Sequence, residues 1–107
     1  MRRRSTNKDN SVVTVLVNRF TSEEATYVVV CEEALVNKEL EKGFFVDPRY
    51  FGGIQTDLDN ALITAKEADY ATLLGNRVVE RAISLGICSP LSIRRIGKIM
   101  YAEVARV

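Results

Sequence analysis

Two clusters of basic side chains are the groups in this sequence best suited to bind a charged ligand. They are Arg2, Arg3 and Arg4 near the start of the chain, and Arg94, Arg95 and Lys98 in the segment SIRRIGK. Such clusters contact the phosphates of nucleic acids. Because adjacent side chains of a strand point to opposite faces, only one of Arg94 and Arg95 is expected to share a surface with Lys98. The alternative is a solvated tail and a charged sheet edge that prevents unwanted strand pairing.

The segment FFVDPRYFGG, residues 44–53, contains three of the chain's four phenylalanines. As a binding loop, it would stack bases on Tyr50 and Phe51 while Arg49 holds a phosphate. As a structural corner, its proline would set a turn, its rings would fill the edge of the core, and Arg49 would pair with Asp47 or with solvent. The sequence leaves both interpretations open.

Carboxylates are paired at three places, which raises the question of acid–base or magnesium chemistry. The pairs are Glu23-Glu24, Glu32-Glu33 and Asp57/Asp59. None comes with an obvious catalytic partner, so we expect solvated faces and carboxylates at helix N-termini. Histidine is absent, which argues against zinc sites and histidine-based triads. We therefore predict no catalytic residue, no metal site and no cofactor.

Nothing in the sequence indicates export or a membrane span. The start MRRRSTNKDNS leads into polar residues rather than an apolar signal region, and the longest apolar runs, such as YVVV, are short. We expect a soluble, cytoplasmic protein with no membrane partner. In that compartment Cys31 and Cys88 are expected to be free, buried thiols.

The net charge of +1 hides an uneven distribution. Residues 1–11 carry +3, residues 92–107 carry +3, and residues 12–91 carry −5. Two basic ends therefore flank an acidic body, unlike the uniformly basic surface of a protein that coats nucleic acid. No DNA binding is expected, whereas a local contact with RNA remains open.

The elements that position these groups suggest one small domain. Residues 1–11 lack periodicity and are predicted to be a flexible basic tail, and residues 12–107 a single α+β domain. Residues 12–20 and 25–33 are rich in β-branched residues and predict a β-hairpin. The segment EALVNKELEKG, ending at Gly43, predicts a short helix, and GFFVD a short extended run.

A helical period begins at Thr56, which is predicted to cap the first helix, with further helical segments over residues 69–75 and 76–86. Gly75-Asn76 favours a break between the last two, with Asn76 as the second cap. Residues from Leu91 to the C-terminus predict a terminal hairpin or one bent strand around Gly97-Lys98. We expect an antiparallel or mixed sheet, in which the C-terminal strand pairs with the N-terminal hairpin and packs on a helical block.

Four elements together resemble a known family. The segments VVVCEEAL…KELEKG, YFGG, ATLLGN…VERAISLGI and IRRIGKIMYAEV are similar in order and spacing to an archaeal family called domain of unknown function 424. The similarity spans about residues 12–107. It departs from the family pattern at Gly97-Lys98, where Gly-Gly is common. The resemblance implies a small α+β protein without established activity, with a link to translation factors and RNA binding.

Three functions follow as hypotheses. The first is an RNA-binding accessory protein of translation or the ribosome, which uses the basic tail, the Arg49–Phe51 loop and the Arg94/Arg95/Lys98 cluster. The second is a non-catalytic adaptor whose acidic body docks a basic protein partner. The third is a small-molecule enzyme of unknown reaction, with a pocket near residues 47–53. The first is preferred, mainly because of the family resemblance.

Overall fold

The computed structural model describes residues 13–106, which form an α+β fold. Its strands are β1 Thr14–Thr21, β2 Thr26–Glu32, β3 Glu39–Glu41, β4 Phe44–Phe45, β5 Ile54–Asp57, β6 Tyr70–Leu74, β7 Arg94–Ile96 and β8 Ile99–Ala105. Its helices are α1 Pro48–Phe51, α2 Leu58–Glu67 and α3 Asn76–Ser84. Six strands form one mixed sheet in the order β5-β1-β2-β6-β8-β7, and β3 pairs only with β4. The predicted tail, residues 1–11, lies outside the described residues.

The predicted N-terminal hairpin is confirmed, and of the two alternatives for the C-terminal segment the structure has the hairpin. β1 and β2 are antiparallel, with Thr21 opposite Thr26 at the turn. β7 and β8 are antiparallel around a two-residue turn at Gly97-Lys98. Gly97 has φ 64°, whereas Lys98 is not among the residues with positive φ. A turn of this kind needs a left-handed residue only at its first position, so lysine fits where the family often has a second glycine.

The helix predicted over residues 69–75 is wrong, because Tyr70–Leu74 is the strand β6. β6 pairs parallel with β2 on one side and antiparallel with β8 on the other. A short apolar run bounded by turn signals fits a buried strand as well as a helix. Here the hydrogen bonds to β2 and β8 make the segment a strand. β6 therefore separates β8 from β2, so the C-terminal strand does not pair with the N-terminal hairpin as predicted.

The helix predicted between residues 33 and 43 is also wrong. The chain forms a 3-10 turn over Glu33–Leu35 and then the β3–β4 hairpin. Gly43, with φ 91°, lies in the hairpin turn instead of ending a helix. Three apolar residues in this segment were too few to distinguish the helical period from a hairpin.

The helix caps differ by one residue from those predicted. Asp57, not Thr56, caps α2, because its Oδ1 accepts a hydrogen bond from the Asn60 N–H at 2.7 Å. Thr56 belongs to β5, which pairs with β1. The predicted break before α3 is confirmed, with Gly75 rather than Asn76 at the N-cap position.

The sheet has a hydrophobic cluster on each face. Alternate strand residues such as Val28, Val30 and Leu73 pack against the buried faces of α2 and α3. On the opposite face, Val29 and Leu74 lie in a smaller cluster covered by the segment from Leu35 to Phe51. We call these the helical face and the loop face. Within residues 13–106, no helix is long and apolar enough to cross a membrane.

A carboxylate from β2 caps α3, although the two are distant in sequence. Glu32 Oε2 accepts hydrogen bonds from the backbone N–H groups of Arg77 at 2.7 Å and Val78 at 3.2 Å. These are two of the donors that a helix N-terminus leaves without partners, and the negative charge also favours the positive end of the helix dipole. Gly75 has φ 126°, and a Cβ there would collide with the Glu32 carboxylate.

We expect Glu32→Ala to lower the free energy of unfolding by about 1–2 kcal/mol, because α3 loses a charged cap. Gly75→Ala should cost about 1–3 kcal/mol through backbone strain alone, with the clash in addition. Urea denaturation measures both. The control is Glu24→Ala, an exposed residue, which should change stability by less than about 0.5 kcal/mol.

The two variants should also be non-additive. Glu32→Ala removes the carboxylate that an alanine at position 75 would strike, so Gly75→Ala should cost less in that background. If the two costs simply add, the contact between Glu32 and Gly75 is not what requires glycine.

The two thiols lie in different clusters on opposite faces of the sheet. Cys31 belongs to the loop-face cluster and Cys88 to the helical-face cluster, and both are free and buried. Burial, with a contribution from the neighbouring Glu32 charge, raises the pKa of the Cys31 thiol to about 12. Burial also raises the pKa of the Cys88 thiol.

We expect Cys31 to resist alkylation in the folded protein, because its thiol stays protonated and buried at neutral pH. After denaturation without reductant, mass spectrometry should show both thiols alkylated. Absence of labelling at both cysteines after denaturation would mean that they form a disulfide.

Candidate functional site

An exposed row of aromatic rings crosses the loop face at the end of the sheet that the loop segment leaves open. Strand pairing places Phe20 opposite Tyr27 and Tyr27 opposite Tyr70, on three adjacent strands. The exposed fractions of these residues are 39%, 42% and 46%. We call Phe20, Tyr27 and Tyr70 the aromatic row. Rings of this size on an open sheet surface, rather than in the core, suggest a contact with something else.

The rings of the row stand upright and present their faces sideways. Tyr27 and Tyr70 are stacked, with centroids 5.1 Å apart and an interplanar angle of 16°. Phe20 stacks instead on Tyr50 of α1, at 5.6 Å and 17°. Neighbouring strands are about 4.7–4.9 Å apart, a spacing that permits the Tyr27–Tyr70 stack. Spacing alone does not impose stacking, since Phe20 lies opposite Tyr27 and stacks on Tyr50.

Tyr50 marks the boundary between the covered and open parts of the loop face. Asn18 Nδ2 donates a hydrogen bond to the Tyr50 carbonyl at 3.0 Å, and the Tyr50 hydroxyl lies 3.3 Å from Thr72 Oγ1. The side chain therefore extends from β1 towards β6, and the residue stays 43% exposed. It remains a candidate for base stacking.

Phe51 has a structural role, contrary to the binding interpretation of the loop. It is only 7% exposed and belongs to the loop-face cluster with Val46 and Leu74. Its ring also meets the Tyr50 ring edge-on at 4.9 Å. A buried ring cannot stack on a base, so the structural alternative for residues 44–53 applies to Phe51.

Arg49 is exposed but already paired with a carboxylate. Its Nη2 lies 2.8 Å from Asp47 Oδ2, and its Nε also donates to Asp47. The hydrogen bonds between them lower the pKa of Asp47 and raise the pKa of Arg49. A phosphate at Arg49 therefore has to compete with Asp47, which weakens this predicted contact.

The structure separates the C-terminal basic cluster. Arg94 lies opposite Tyr101 and shares the loop face with Ile96, whereas Arg95 lies opposite Met100 on the helical face. Lys98 is at the β7–β8 turn, at the end of β8 remote from Ala105. The opposite-face prediction for the two arginines is confirmed, and Lys98 lies away from the aromatic row. Arg2, Arg3 and Arg4 lie outside the described residues.

β8 continues the loop face beyond Tyr70. Ala105 is opposite Tyr70, Glu103 opposite Thr72, and Tyr101 opposite Leu74. The Tyr101 hydroxyl donates a hydrogen bond of 2.6 Å to Glu103 Oε2. Burial and this carboxylate raise the pKa of Tyr101, which keeps the hydroxyl protonated as a donor. β7 pairs only with the first three residues of β8, so Glu103 and Ala105 lie at an open sheet edge among the described residues.

The carboxylates of the predicted pair Asp57/Asp59 have structural partners. A shallow cleft between α2 and α3 is lined by Asp57, Asp59 and Arg81, among others. Asp57 is the α2 cap, and Asp59 Oδ1 lies 3.0 Å from Arg81 Nε. The hydrogen bond from Arg81 lowers the pKa of Asp59. Residues 13–106 contain no group of three or more histidine, cysteine, aspartate or glutamate side chains arranged to hold a metal ion.

Comparison with known proteins identifies the family. A family model described as "Protein of unknown function (DUF424)" matches residues 20–107. The chain belongs to the DUF424 family. No match was found among curated proteins.

One solved structure shares the fold of this DUF424 chain. It is the crystal structure of an uncharacterized conserved protein from Methanopyrus kandleri, with a TM-score of 0.69 and 17% sequence identity. The alignment covers 88% of this chain and 95% of that one. At this identity the similarity concerns the fold alone.

None of the three residues of the aromatic row was predicted from the sequence of this DUF424 chain. Phe20 and Tyr27 are the strand residues next to the pair Thr21–Thr26 that closes the β1–β2 turn. Their position opposite each other could have been inferred from the predicted hairpin. The position of Tyr70 on the sheet could not be inferred, because its segment was predicted to be helical. Without β6 in the sheet, neither the Tyr27–Tyr70 stack nor the position of Ala105 beside it could be inferred.

Proposed function

We propose that this protein binds single-stranded RNA on the loop face, with the aromatic row as the stacking surface. The observation that supports the proposal is the row itself: three half-exposed rings in register on adjacent strands. Sequence-specific RNA-binding domains often present such rings on an open sheet, where unstacked bases can stack on them. Because Tyr27 covers one face of Tyr70 and Tyr50 covers one face of Phe20, a base would stack on a face that these contacts leave uncovered. Stacking contributes about 1–3 kcal/mol per base.

The charges around the row favour stacking over phosphate contacts. Glu23 and Glu24 lie in the β1–β2 turn beside Phe20, and Glu103 lies on the neighbouring strand. Arg94 is the exposed basic residue of β7 on the same face. With few cations near the row among residues 13–106, affinity should depend weakly on salt and should require bases that are free to leave a duplex.

A role in translation is the second part of the proposal, and its support is the family resemblance. The test uses the native protein from cell lysate, isolated before and after nuclease treatment. Ribosomal RNA or proteins that co-purify and are lost with nuclease support an accessory role at the ribosome. Recovery of RNA unrelated to translation would leave RNA binding but remove this assignment.

A protein-docking adaptor is the second candidate function. It is favoured by the acidic residues Glu23, Glu24 and Glu103 near exposed rings, since arginine side chains pair with carboxylates and stack on aromatic faces. The two functions differ in one measurement. An arginine-rich peptide that binds the aromatic row more tightly than any single-stranded RNA would favour the adaptor.

We expect Tyr70→Val to weaken binding of a single-stranded RNA about eight nucleotides long by roughly 5- to 150-fold, the loss of one stacked base. Valine keeps the preference for strand structure and removes the ring. Fluorescence anisotropy measures the dissociation constant, and DNA of the same sequence tests the sugar preference. The control is Ile63→Val, an exposed residue on α2 that is absent from the loop face.

The purely structural alternative is that Tyr27 and Tyr70 stabilise the sheet as a cross-strand pair. In that case Tyr70→Val lowers the free energy of unfolding but leaves RNA affinity unchanged. That result would remove the aromatic row as a binding site.

A matched pair of arginines tests which face binds RNA. Arg94→Ser should flatten the log–log salt dependence by about 0.7, the value for one phosphate contact with a single strand. Arg95→Ser makes the same change of charge one residue away, on the opposite face, and should leave the slope unchanged. Equal effects of the two variants would mean that the RNA phosphates contact both faces of the sheet without preference for the loop face.

A further inference from the structure

A gap beside Tyr70 ends the aromatic row. Tyr70 has Tyr27 stacked on one side, and on its other side the facing residue of β8 is Ala105. Alanine carries only a methyl group, and Ala105 is exposed. On the side away from Tyr27, the residue that faces Tyr70 across the ladder therefore contributes only a methyl group, and the position above it on the loop face is open to a further ring. We call this open position the Ala105 slot.

The dimensions of the slot suit a planar ring. Tyr27 and Tyr70, which lie opposite each other on neighbouring strands, stack at 5.1 Å. The next strand is again about 4.7–4.9 Å away, so a ring above Ala105 would lie at a similar distance from Tyr70. Stacked rings prefer centroid distances of about 4.5–7 Å. One further ring placed there would extend the stack of Tyr27 and Tyr70 by one member.

A carboxylate stands next to the slot on the same face. Glu103 precedes Ala105 by two residues on β8, a distance of about 6.5–7 Å along the strand. Tyr101 donates to Oε2 of Glu103 from the side away from Ala105. Within the described residues, Oε1 has no hydrogen-bond donor. The slot therefore combines a stacking face with an acceptor at one edge.

This combination distinguishes among bases. An ionised carboxylate only accepts hydrogen bonds, and its two oxygens match two parallel N–H donors. Guanine presents two adjacent donors, N1–H and the N2 amino group, on its Watson–Crick edge. Adenine and cytosine offer one exocyclic amino group beside a ring acceptor, and the single N–H of uracil lies between two carbonyl oxygens that the carboxylate repels.

We propose that the Ala105 slot selects a guanine base of single-stranded RNA, which stacks on Tyr70 and donates hydrogen bonds to Glu103. The inference rests on the proposed function, and it adds a base preference that stacking alone does not supply. Tyr101 acts as a positioning residue, since its hydroxyl holds one carboxylate oxygen. The negative charge also keeps the phosphate backbone away from this edge, so that the base edge faces the carboxylate.

The experiment compares three RNA octamers of uridine that carry guanosine, inosine or uridine at one central position. Inosine keeps the purine ring and N1–H but lacks the N2 amino group, so it changes hydrogen bonding with little change in stacking. We expect guanosine to bind about 10-fold more tightly than inosine, the effect of one hydrogen bond to a charged group. Glu103→Gln should bring the two affinities to within about 2-fold, because an amide presents only one acceptor oxygen.

Two control variants test whether the guanosine preference depends on the net charge of this end of the sheet and on the open slot. Glu24→Gln makes the same change of net charge at the same end of the sheet and should leave the guanosine-to-inosine ratio unchanged. Ala105→Leu fills the slot and should remove the preference for guanosine while uridine octamers still bind. Thermal denaturation of each variant shows that it remains folded.

The outcomes distinguish this inference from the proposal on which it rests. Equal binding of the three octamers, with loss on Tyr70→Val, overturns guanine selection and leaves the stacking surface in place. A guanosine preference that persists in Glu103→Gln assigns the selectivity to another group and also overturns the inference. If the unmodified protein binds none of the octamers, the proposed function fails, and guanine selection fails with it.

Discussion

The structure depends on a five-residue strand, β6, whose backbone must be satisfied on both sides. Leu73 and Leu74 have no exposed surface, so neither edge of this strand can exchange its hydrogen bonds for water. β2 completes one ladder and β8 the other. The register of the first ladder places Tyr70 beside Tyr27, and that of the second places it beside Ala105. The position of the aromatic row is therefore a direct consequence of how the core is closed.

The same strand explains the link between Glu32 and α3. Since β2 and β6 are parallel, the end of β2 lies beside the end of β6, where α3 begins. The first N–H groups of α3 point towards this edge and need acceptors, and Glu32 supplies one carboxylate for two of them. A glycine at position 75 is required because this carboxylate occupies the space of a side chain. What resembles an anion-binding helix terminus is thus already filled by the protein itself.

The sequence predicted the elements whose pattern is local. Val28 to Val30 and the residues around Gly97 give strand and turn signals that need no partner, and Gly75 marks the start of α3. The prediction for Tyr70–Leu74 was wrong because four apolar residues out of five carry no period that separates a strand from a helix. The aromatic row was missed for the same reason, since Tyr70 meets Tyr27 through one ladder of this strand and Ala105 through the other. For Arg94 and Arg95 the prediction succeeded, because side chains alternate between the two faces along a single strand and no partner strand is needed to place them.

Within residues 13–106 the aromatic row and the basic residues of β7 and the β7–β8 turn lie apart, and this bears on the ligand that we propose for the loop face. Basic residues alone, such as those in the C-terminal segment, attract any polyanion, including duplexes whose bases are inaccessible. The aromatic row lies instead beside Glu103 and near Glu23 and Glu24, where a phosphate backbone is repelled. If the loop face binds RNA as we propose, a ligand gains free energy there by presenting flat rings, and hydrogen-bond donors if it reaches Glu103. In that case the acidic groups lower the affinity for any polyanion and raise the selectivity for ligands that expose a base.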